Sequence, residues 1–326
     1  MDYRSAGVDI DAHAALVARF GGLAAATARA GVIGGLGLFA GSFALGEGAN
    51  APVLVASTDS VGTKVLLAAA CGRQEVLGRD VVIHCANDVA TTGAAPLFFL
   101  DYLAVHHLEE AAALAIVGGI AAACREAGCA LLGGETAQLP DLYRPEALDV
   151  AGTMVGLVER ARLVQPAPAA GDLVLGLPSS GLQTNGFSLV RRILEATGTD
   201  PASHAELLLA PSALYSGTVA RLLRERAALH GLAHITGGGL AGNLHRVLGD
   251  RVDAVLDPSA WTRPPVFPWL QSLGGVSEEE MRRVFNLGVG FCLVVPASEA
   301  DAVRRVVPEA RTIGALRPGA GQVRFS

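Results

Sequence analysis

Pro52-Val53-Leu54-Val55-Ala56-Ser57-Thr58-Asp59-Ser60-Val61-Gly62-Thr63-Lys64 reads as a strand, a turn and the start of a helix. The β-branched run Pro52 to Ser57 favours extended chain, Asp59 to Gly62 have turn chemistry, and Thr63 to Cys71 is helical in composition. A strand that feeds a helix through a glycine turn is the repeating unit of α/β proteins. It also leaves helix N–H groups free to meet an anion. Lys64 is the only lysine among 25 basic residues, the rest being arginine. A compact ammonium is hard to replace with guanidinium where it must act as a point charge against phosphate or carboxylate. Lys64 is therefore a candidate functional residue.

The same alternation extends in both directions. Asp9 to Arg29 is predicted as a helix, followed by a glycine-rich stretch, Gly31 to Gly41, that fits either a ligand lid or a structural turn. Further on come a helix at Asp80 to Thr92, a strand at Leu97 to Val105 and an alanine-rich helix at Glu109 to Ala127. A short buried strand, Ala130 to Leu132, is expected to run into a turn at Gly133-Gly134-Glu135-Thr136, followed by a strand at Val150 to Val158. The proline-containing segment between Glu159 and Gly171 resembles a linker. It places a boundary near residue 167 and divides the chain into 1–166 and 167–326. The second unit repeats the pattern: strand Asp172 to Leu177, turn Pro178 to Gly186, helix Phe187 to Glu195, helix Tyr215 to Ala228, turn Thr236-Gly237-Gly238-Gly239 into helix Leu240 to Leu248, strand Gly288 to Val295, and a last helix near Ser298 to Val306.

At 326 residues, two domains are expected. Half of the residues are hydrophobic (51%), 17% are charged and 40 are glycine. That composition describes a compact α/β protein and argues against disorder. A net charge of −6 argues against nucleic acid or an anionic membrane as the main partner. Five cysteines without CxxC spacing, the lack of a leader pattern and the lack of a spanning apolar run point to a cytoplasmic protein.

Three acidic residues stand beside glycine or at element ends: Asp59, Asp88 in His84-Cys85-Ala86-Asn87-Asp88, and Glu135. Carboxylates gathered together need a cation, and Mg²⁺ prefers oxygen ligands shared with substrate phosphates. Each taken alone reads first as a cap or turn residue. The turns Ser57 to Lys64, Ser179 to Gly186 and Thr236 to Gly239 all lead into helix N-termini that suit anionic oxygens. None is a Walker A loop, zinc spacing is absent, and His84 and His234 lie in apolar runs that favour core positions.

Taken in order, these motifs resemble the phosphoribosylformylglycinamidine cyclo-ligase, or aminoimidazole ribonucleotide synthetase, family: Tyr3 to Asp11, Thr58 to Lys64, Cys85 to Asp88, Pro96 to Tyr102, Gly133 to Thr136, Ser179 to Gly181 with Asn185 to Arg191, His234 to Gly239, and Phe285 to Gly290. The resemblance implies an α/β, two-domain homodimer. Its N-terminal mixed sheet would contribute to a dimeric β-barrel flanked by helices, and an α/β C-terminal domain would complete the substrate site. It also implies ATP and Mg²⁺, and ring closure of formylglycinamidine ribonucleotide in purine biosynthesis. By that analogy Lys64 and Asp59 are catalytic; Thr58, Asp59, Gly62, Thr63, Lys64, Asn87 and Asp88 bind ATP; Asp59, Asp88 and Glu135 hold metal; and Ser179, Ser180, Gln183, Asn185, Thr236, Gly237 and Gly238 bind the ribonucleotide.

The chain departs from the family pattern at Ser60, where a glycine is usual, at Gln183-Thr184, where His-Ser is usual, and at Gly242, where glutamate is common. These departures keep two alternatives in view, a related ATP-dependent kinase or synthetase and a non-catalytic nucleotide-binding subunit.

Overall fold

The computed structural model describes residues 1–35, 37–145 and 147–326. Two six-stranded sheets organise the chain. The first contains β1 (Val32–Ile33), β2 (Gly41–Ala44), β3 (Pro52–Ser60), β4 (Ala95–Val105), β5 (Ala130–Gln138) and β6 (Leu148–Glu159), in the order β1-β2-β3-β6-β4-β5. It is mixed, because β4 and β5 are parallel while the other pairs are antiparallel. The second contains β7 (Leu173–Pro178), β8 (Gly231–His234), β9 (Val252–Leu256), β10 (Val289–Val295), β11 (Arg311–Pro318) and β12 (Val323–Phe325), in the order β12-β9-β11-β7-β10-β8.

The helices are α1 (Ile10–Ala25), α2 (Lys64–Ala70), α3 (Glu75–Ala90), α4 (Glu110–Ala127), α5 (Phe187–Thr197), α6 (Ala205–Leu208), α7 (Ser216–Arg224), α8 (Gly239–Leu244), α9 (Val266–Gly274), α10 (Glu278–Val284) and α11 (Ala300–Val306). Asp9 caps α1 and Glu109 caps α4 through side-chain bonds to backbone N–H groups.

One face of the first sheet, carrying Val53, Val55, Phe99, Leu103, Val150 and Met154, is buried in a core shared with α3 and α4. The two helices approach closely through glycine. A Cβ on Gly78 would lie 1.9 Å from the Ile116 oxygen, and one on Gly119 would lie 2.1 Å from the Glu75 oxygen. The same core continues into α5, α9 and α10 through Phe187, Phe267, Met281 and Phe285, so α3 is covered on all sides. The second sheet buries both faces. Val174, Ala254 and Cys292 lie on the α8 side, and Leu175, Phe291 and Leu293 lie on the side of α7 and α11.

Several local expectations are corrected. Asp59 and Ser60 are not in a turn: β3 runs to Ser60, paired with Ala151, and the chain turns at Val61 to Thr63 with Gly62 at φ +53°. Ser60 is absent from the positive-φ residues, so serine costs nothing in backbone strain there. Gly133 to Thr136 is strand, not turn, because β5 extends to Gln138 as an exposed edge. Gly134 is required there by close approach, since a Cβ would lie 2.2 Å from Asp101 Oδ1. The predicted helix at Asp80 begins five residues earlier, at Glu75. The Gly31–Gly41 stretch contributes β1 and the start of β2, which pair as a hairpin; Leu36 lies outside the described residues.

Candidate functional site

The site is built on a match of repeats. Two residues of β3 span about 6.6 Å, and four residues of α3 span about 6 Å. Ser57 and Asp59, on one face of β3, therefore meet Asp88 and His84, one turn apart on α3. Ser57 Oγ donates to Asp88 Oδ2 at 3.1 Å, and His84 Nε2 lies 2.9 Å from Asp59 Oδ2.

The second unit supplies the other partners. His84 Nδ1 is 2.6 Å from Thr184 Oγ1, and His234 Nδ1, at the end of β8, is 2.8 Å from Asp88 Oδ1. The two imidazole rings meet edge to face with centroids 5.0 Å apart. Both histidines are buried, as their apolar surroundings predict, yet each is paired with a carboxylate. Asp59 is the open member, its side chain 36% exposed.

Charge is distributed unevenly across this group. Burial pulls the His84 pKa down, but the Asp59 carboxylate outweighs it, and His84 stands at about 9. Burial pushes Asp59 up, and the His84 charge more than reverses that, holding Asp59 below the usual carboxylate range. His234 is lowered, mainly by burial and against the pull of Asp88. An imidazolium thus sits between Asp59 and Thr184, with a neutral imidazole against Asp88.

The polar stripe of α3 extends beyond this pair. Asp80, His84, Asn87 and Asp88 recur at helical spacing on one face, and every one bonds the second unit. Asp80 Oδ1 accepts the Ser212 N–H at 2.9 Å, Asn87 Oδ1 accepts the Tyr215 N–H at 2.7 Å, and Asn87 Nδ2 donates to the Ala213 carbonyl at 2.9 Å. Sequence reading singled out Asn87 and Asp88 but missed Asp80. The signal was present, since four polar residues at i, i+4, i+7 and i+8 line one face of a helix that is apolar between them.

The proposed residues separate into groups. Lys64 is fully buried, ion-paired with equally buried Asp80, and donates to the Gln183 carbonyl at 2.7 Å. Asp80, the Gln183 carbonyl and the Phe187 ring surround its ammonium in this structure. Thr58 lies on the far face of β3, its hydroxyl 2.8 Å from Thr153 Oγ1. Thr63 Oγ1 is 3.0 Å from Ser188 Oγ at the start of α5.

Glu135 does not join Asp59 and Asp88 within the chain. Asp59 pairs with Gly152, Gly152 with Asp101 and Asp101 with Gly134, so the neighbouring Glu135 is three strands away and on the opposite face. Two carboxylates remain to test the Mg²⁺ expectation. Asp59, partly exposed and kept ionised, offers the kind of open carboxylate that Mg²⁺ takes together with phosphate oxygens, whereas Asp88 Oδ1 and Oδ2 are already bonded by His234 and Ser57. Among the described residues, the donors that cluster within 4.8 Å are His84, Asp88 and His234.

The turns of the second unit lie side by side. Ser179 Oγ donates to Asn286 Oδ1 at 2.7 Å, Asn286 Nδ2 donates to the Gly181 carbonyl at 2.8 Å, and Asn185 Nδ2 donates to Thr184 Oγ1 at 3.1 Å. A Cβ on Gly237 would lie 3.3 Å from Asn185 Oδ1, so the two turns face one another. Ser179 and Gln183 are buried in this scaffold, whereas Ser180 is exposed. Thr236 Oγ1 donates to Asn243 Oδ1 at 3.1 Å, which fixes the start of the glycine turn, and Gly238 follows at φ +95°.

Arg246 is a further residue that sequence reading missed. It donates from Nε to the Gly37 carbonyl and from Nη2 to the Leu38 carbonyl, both at 2.7 Å, and its guanidinium lies 4.0 Å from the Phe39 ring centroid. Burial lowers its pKa while Asp88 and Asp59 act against that, so the cation shares their electrostatic environment. One arginine among many carries no sequence signal.

Comparison with known proteins agrees with this architecture. Residues 44–158 match the family described as AIR synthase related protein, N-terminal domain, and 169–323 match its C-terminal domain. A phosphoribosylformylglycinamidine cyclo-ligase from Gloeobacter violaceus is 48% identical over 339 aligned positions covering 100% of both chains. One from a Synechococcus species is 49% identical over 316 positions, covering 93% of this chain and 90% of its own. In fold, the chain is similar to thiamine-monophosphate kinase from Stenotrophomonas maltophilia, with TM-score 0.65, 21% identity and 96% of each chain covered. The hydrogenase maturation protein HypE in complex with ATP gives TM-score 0.63 at 20% identity, covering 83% of this chain and 81% of that one. With both units matched and near-half identity from end to end, the chain belongs to the phosphoribosylformylglycinamidine cyclo-ligase family of AIR synthase related enzymes.

Proposed function

We propose that the chain uses ATP to close formylglycinamidine ribonucleotide to aminoimidazole ribonucleotide, releasing ADP and phosphate in purine biosynthesis. The observation that carries this reading is the 48% identity to a cyclo-ligase across the whole of both chains. ATP phosphorylates the formyl amide oxygen, the amidine nitrogen attacks the activated carbon, and phosphate leaves as the imidazole closes. Asp59 would hold Mg²⁺, which neutralises phosphate charge when bound. Around it, the His84 charge and Arg246 provide cations at the seam between 1–166 and 167–326, the two proposed domains. Such positioned charge is the main catalytic resource for phosphoryl transfer. The ribonucleotide would meet Ser180, Thr184, Asn185 and the Gly237-Gly238 turn, with Ser179, Gln183 and Thr236 holding those turns in shape.

A homodimer accords with the open face of the first sheet. Leu100, Tyr102 and Leu157 are 36–39% exposed there, an apolar surface that a single chain leaves uncovered. Glu135 lies on the same open face and would reach a metal or phosphate only in the assembly. Among the described residues no helix is long and apolar enough to cross a membrane, and a cytoplasmic site accords with the free cysteines. Purified protein given ATP, Mg²⁺ and formylglycinamidine ribonucleotide is expected to form aminoimidazole ribonucleotide. Clear ATP binding without that product would overturn the assignment.

A further inference from the structure

Lys64 and Asp80 form an ion pair with no solvent exposure, one on α2 and the other on α3. Removing two charges from water commonly costs more than their attraction returns, and apolar residues could fill the same space. Apolar residues could not bond the second unit's backbone, and here both partners do. Lys64 Nζ donates to the Gln183 carbonyl at 2.7 Å, and Asp80 Oδ1 accepts the Ser212 N–H at 2.9 Å. The ammonium also faces the Phe187 ring, 5.0 Å from its centroid, at the first residue of α5.

The bonded carbonyl belongs to a strained residue. Gln183 has φ +59°, a left-handed conformation that a residue with a side chain keeps only where its surroundings over-determine it. The restraints are visible. Lys64 holds the carbonyl, while Gln183 Nε2 donates to Tyr215 Oη at 3.1 Å, and Tyr215 Oη donates to the Pro178 carbonyl at 2.8 Å. Gly290 makes room for both side chains, since a Cβ there would lie 1.9 Å from Tyr215 Oη and 2.5 Å from Gln183 Nε2. Immediately after Gln183 comes Thr184, whose hydroxyl meets His84, and then Asn185, bonded to Thr184. The backbone state of Gln183 therefore sets where both polar side chains stand.

We propose that Lys64 is a positioning residue for the ring closure. Together with Asp80 it holds the Gln183 carbonyl and locks the Ser179–Gly186 turn in the form that presents Thr184 and Asn185 beside His84; it does not bind ATP phosphate. The kinetic half of this inference rests on the cyclo-ligase reading, while the structural half does not.

The test is the full-length double variant Lys64→Met/Asp80→Asn, which removes the ammonium without leaving a buried charge. Amide hydrogen exchange in 179–186 is expected to accelerate about tenfold or more as the turn opens locally. Turnover, or the ribonucleotide KM, is expected to worsen by about tenfold to a hundredfold through misplacement of the turn. Calorimetric affinity for a non-hydrolysable ATP analogue should stay within about twofold, since no phosphate contact is lost. Lys64→Gln/Asp80→Asn retains a neutral donor and is expected to recover most of the lost rate, and it serves as the test pair if the methionine version does not fold.

A tenfold fall in analogue affinity with unchanged turn exchange would make Lys64 a phosphate ligand and overturn the proposal. Wild-type kinetics and exchange in a folded methionine variant would reduce the pair to packing and overturn it equally. If the wild-type protein forms no aminoimidazole ribonucleotide, the functional reading fails, but exchange and analogue binding still decide the role of Lys64.

Discussion

The polar stripe of α3 and the Gly133–Thr136 stretch of β5 both carry carboxylates that the family pattern assigns to metal, yet the fold treats them oppositely. On α3, Asp80 and Asp88 are buried and every carboxylate has a partner from within the chain. On β5, Glu135 lies on an exposed edge strand beside Tyr102, on a sheet face that the chain does not cover. A buried charge must be satisfied locally or it unfolds its surroundings, whereas an exposed one can wait for a ligand or a second subunit. The seam is thus satisfied within one chain, whereas the open face is left uncovered by it.

The comparison breaks most sharply at Lys64. Lys64→Met alone leaves the Asp80 charge buried and unpaired, and is expected to cost about 3–5 kcal/mol in urea unfolding. The double variant with Asp80→Asn should regain most of that loss. On the open face the expected effect is on assembly instead. Leu100→Arg places charge on the uncovered sheet, and light scattering should show monomer where the native chain gives dimer, with the fold intact by circular dichroism.

A smaller effect separates the seam by pH. His84 is raised from its ordinary value near 6.5 to about 9, with Asp59 overcoming the opposing effect of burial. Its stabilising contribution is therefore full below about 6.5 and is lost as pH rises through about 9. Unfolding free energy should decline over that window, and His84→Asn should flatten the decline; an unchanged slope would exclude the His84–Asp59 pair as its source. Smallest of all, Ser60→Gly, which restores the usual family residue, is expected to lower stability by about 0.5–1 kcal/mol. Ser60 sits in regular strand, so glycine adds unfolded-chain entropy and relieves nothing. A gain in melting temperature would contradict that account.

Much of the architecture was legible in the sequence. The helices from Asp9 and Phe187 start at a capping residue and after a glycine turn, and the strands at Pro52 and Val150 follow β-branched stretches while that at Leu97 follows an aromatic one. Errors fell where tertiary pairing overrides local composition. Asp59-Ser60 and Gly133-Gly134 have turn residues, but cross-strand bonds to β6 and β4 hold them extended. The site was legible as a set of motifs rather than as an arrangement. The motifs named Asp59, Asp88 and the glycine turns, which lie at the seam, did not name Asp80 or Arg246, and grouped with them Glu135, which lies three strands away on the opposite face of the first sheet.

The sequence by itself determined the two-unit α/β order, the family and the chemical types available: one ammonium, a few carboxylates and glycine turns before helices. Only the tertiary structure decided which of them face one another. The match between two strand residues and one helical turn puts Asp59 on His84 and Ser57 on Asp88, and the docking of the second unit on α3 buries the single lysine. Residue identity fixes a charge. Burial fixes whether that charge is spent on the fold or left for a ligand, and burial depends on contacts between residues more than a hundred positions apart.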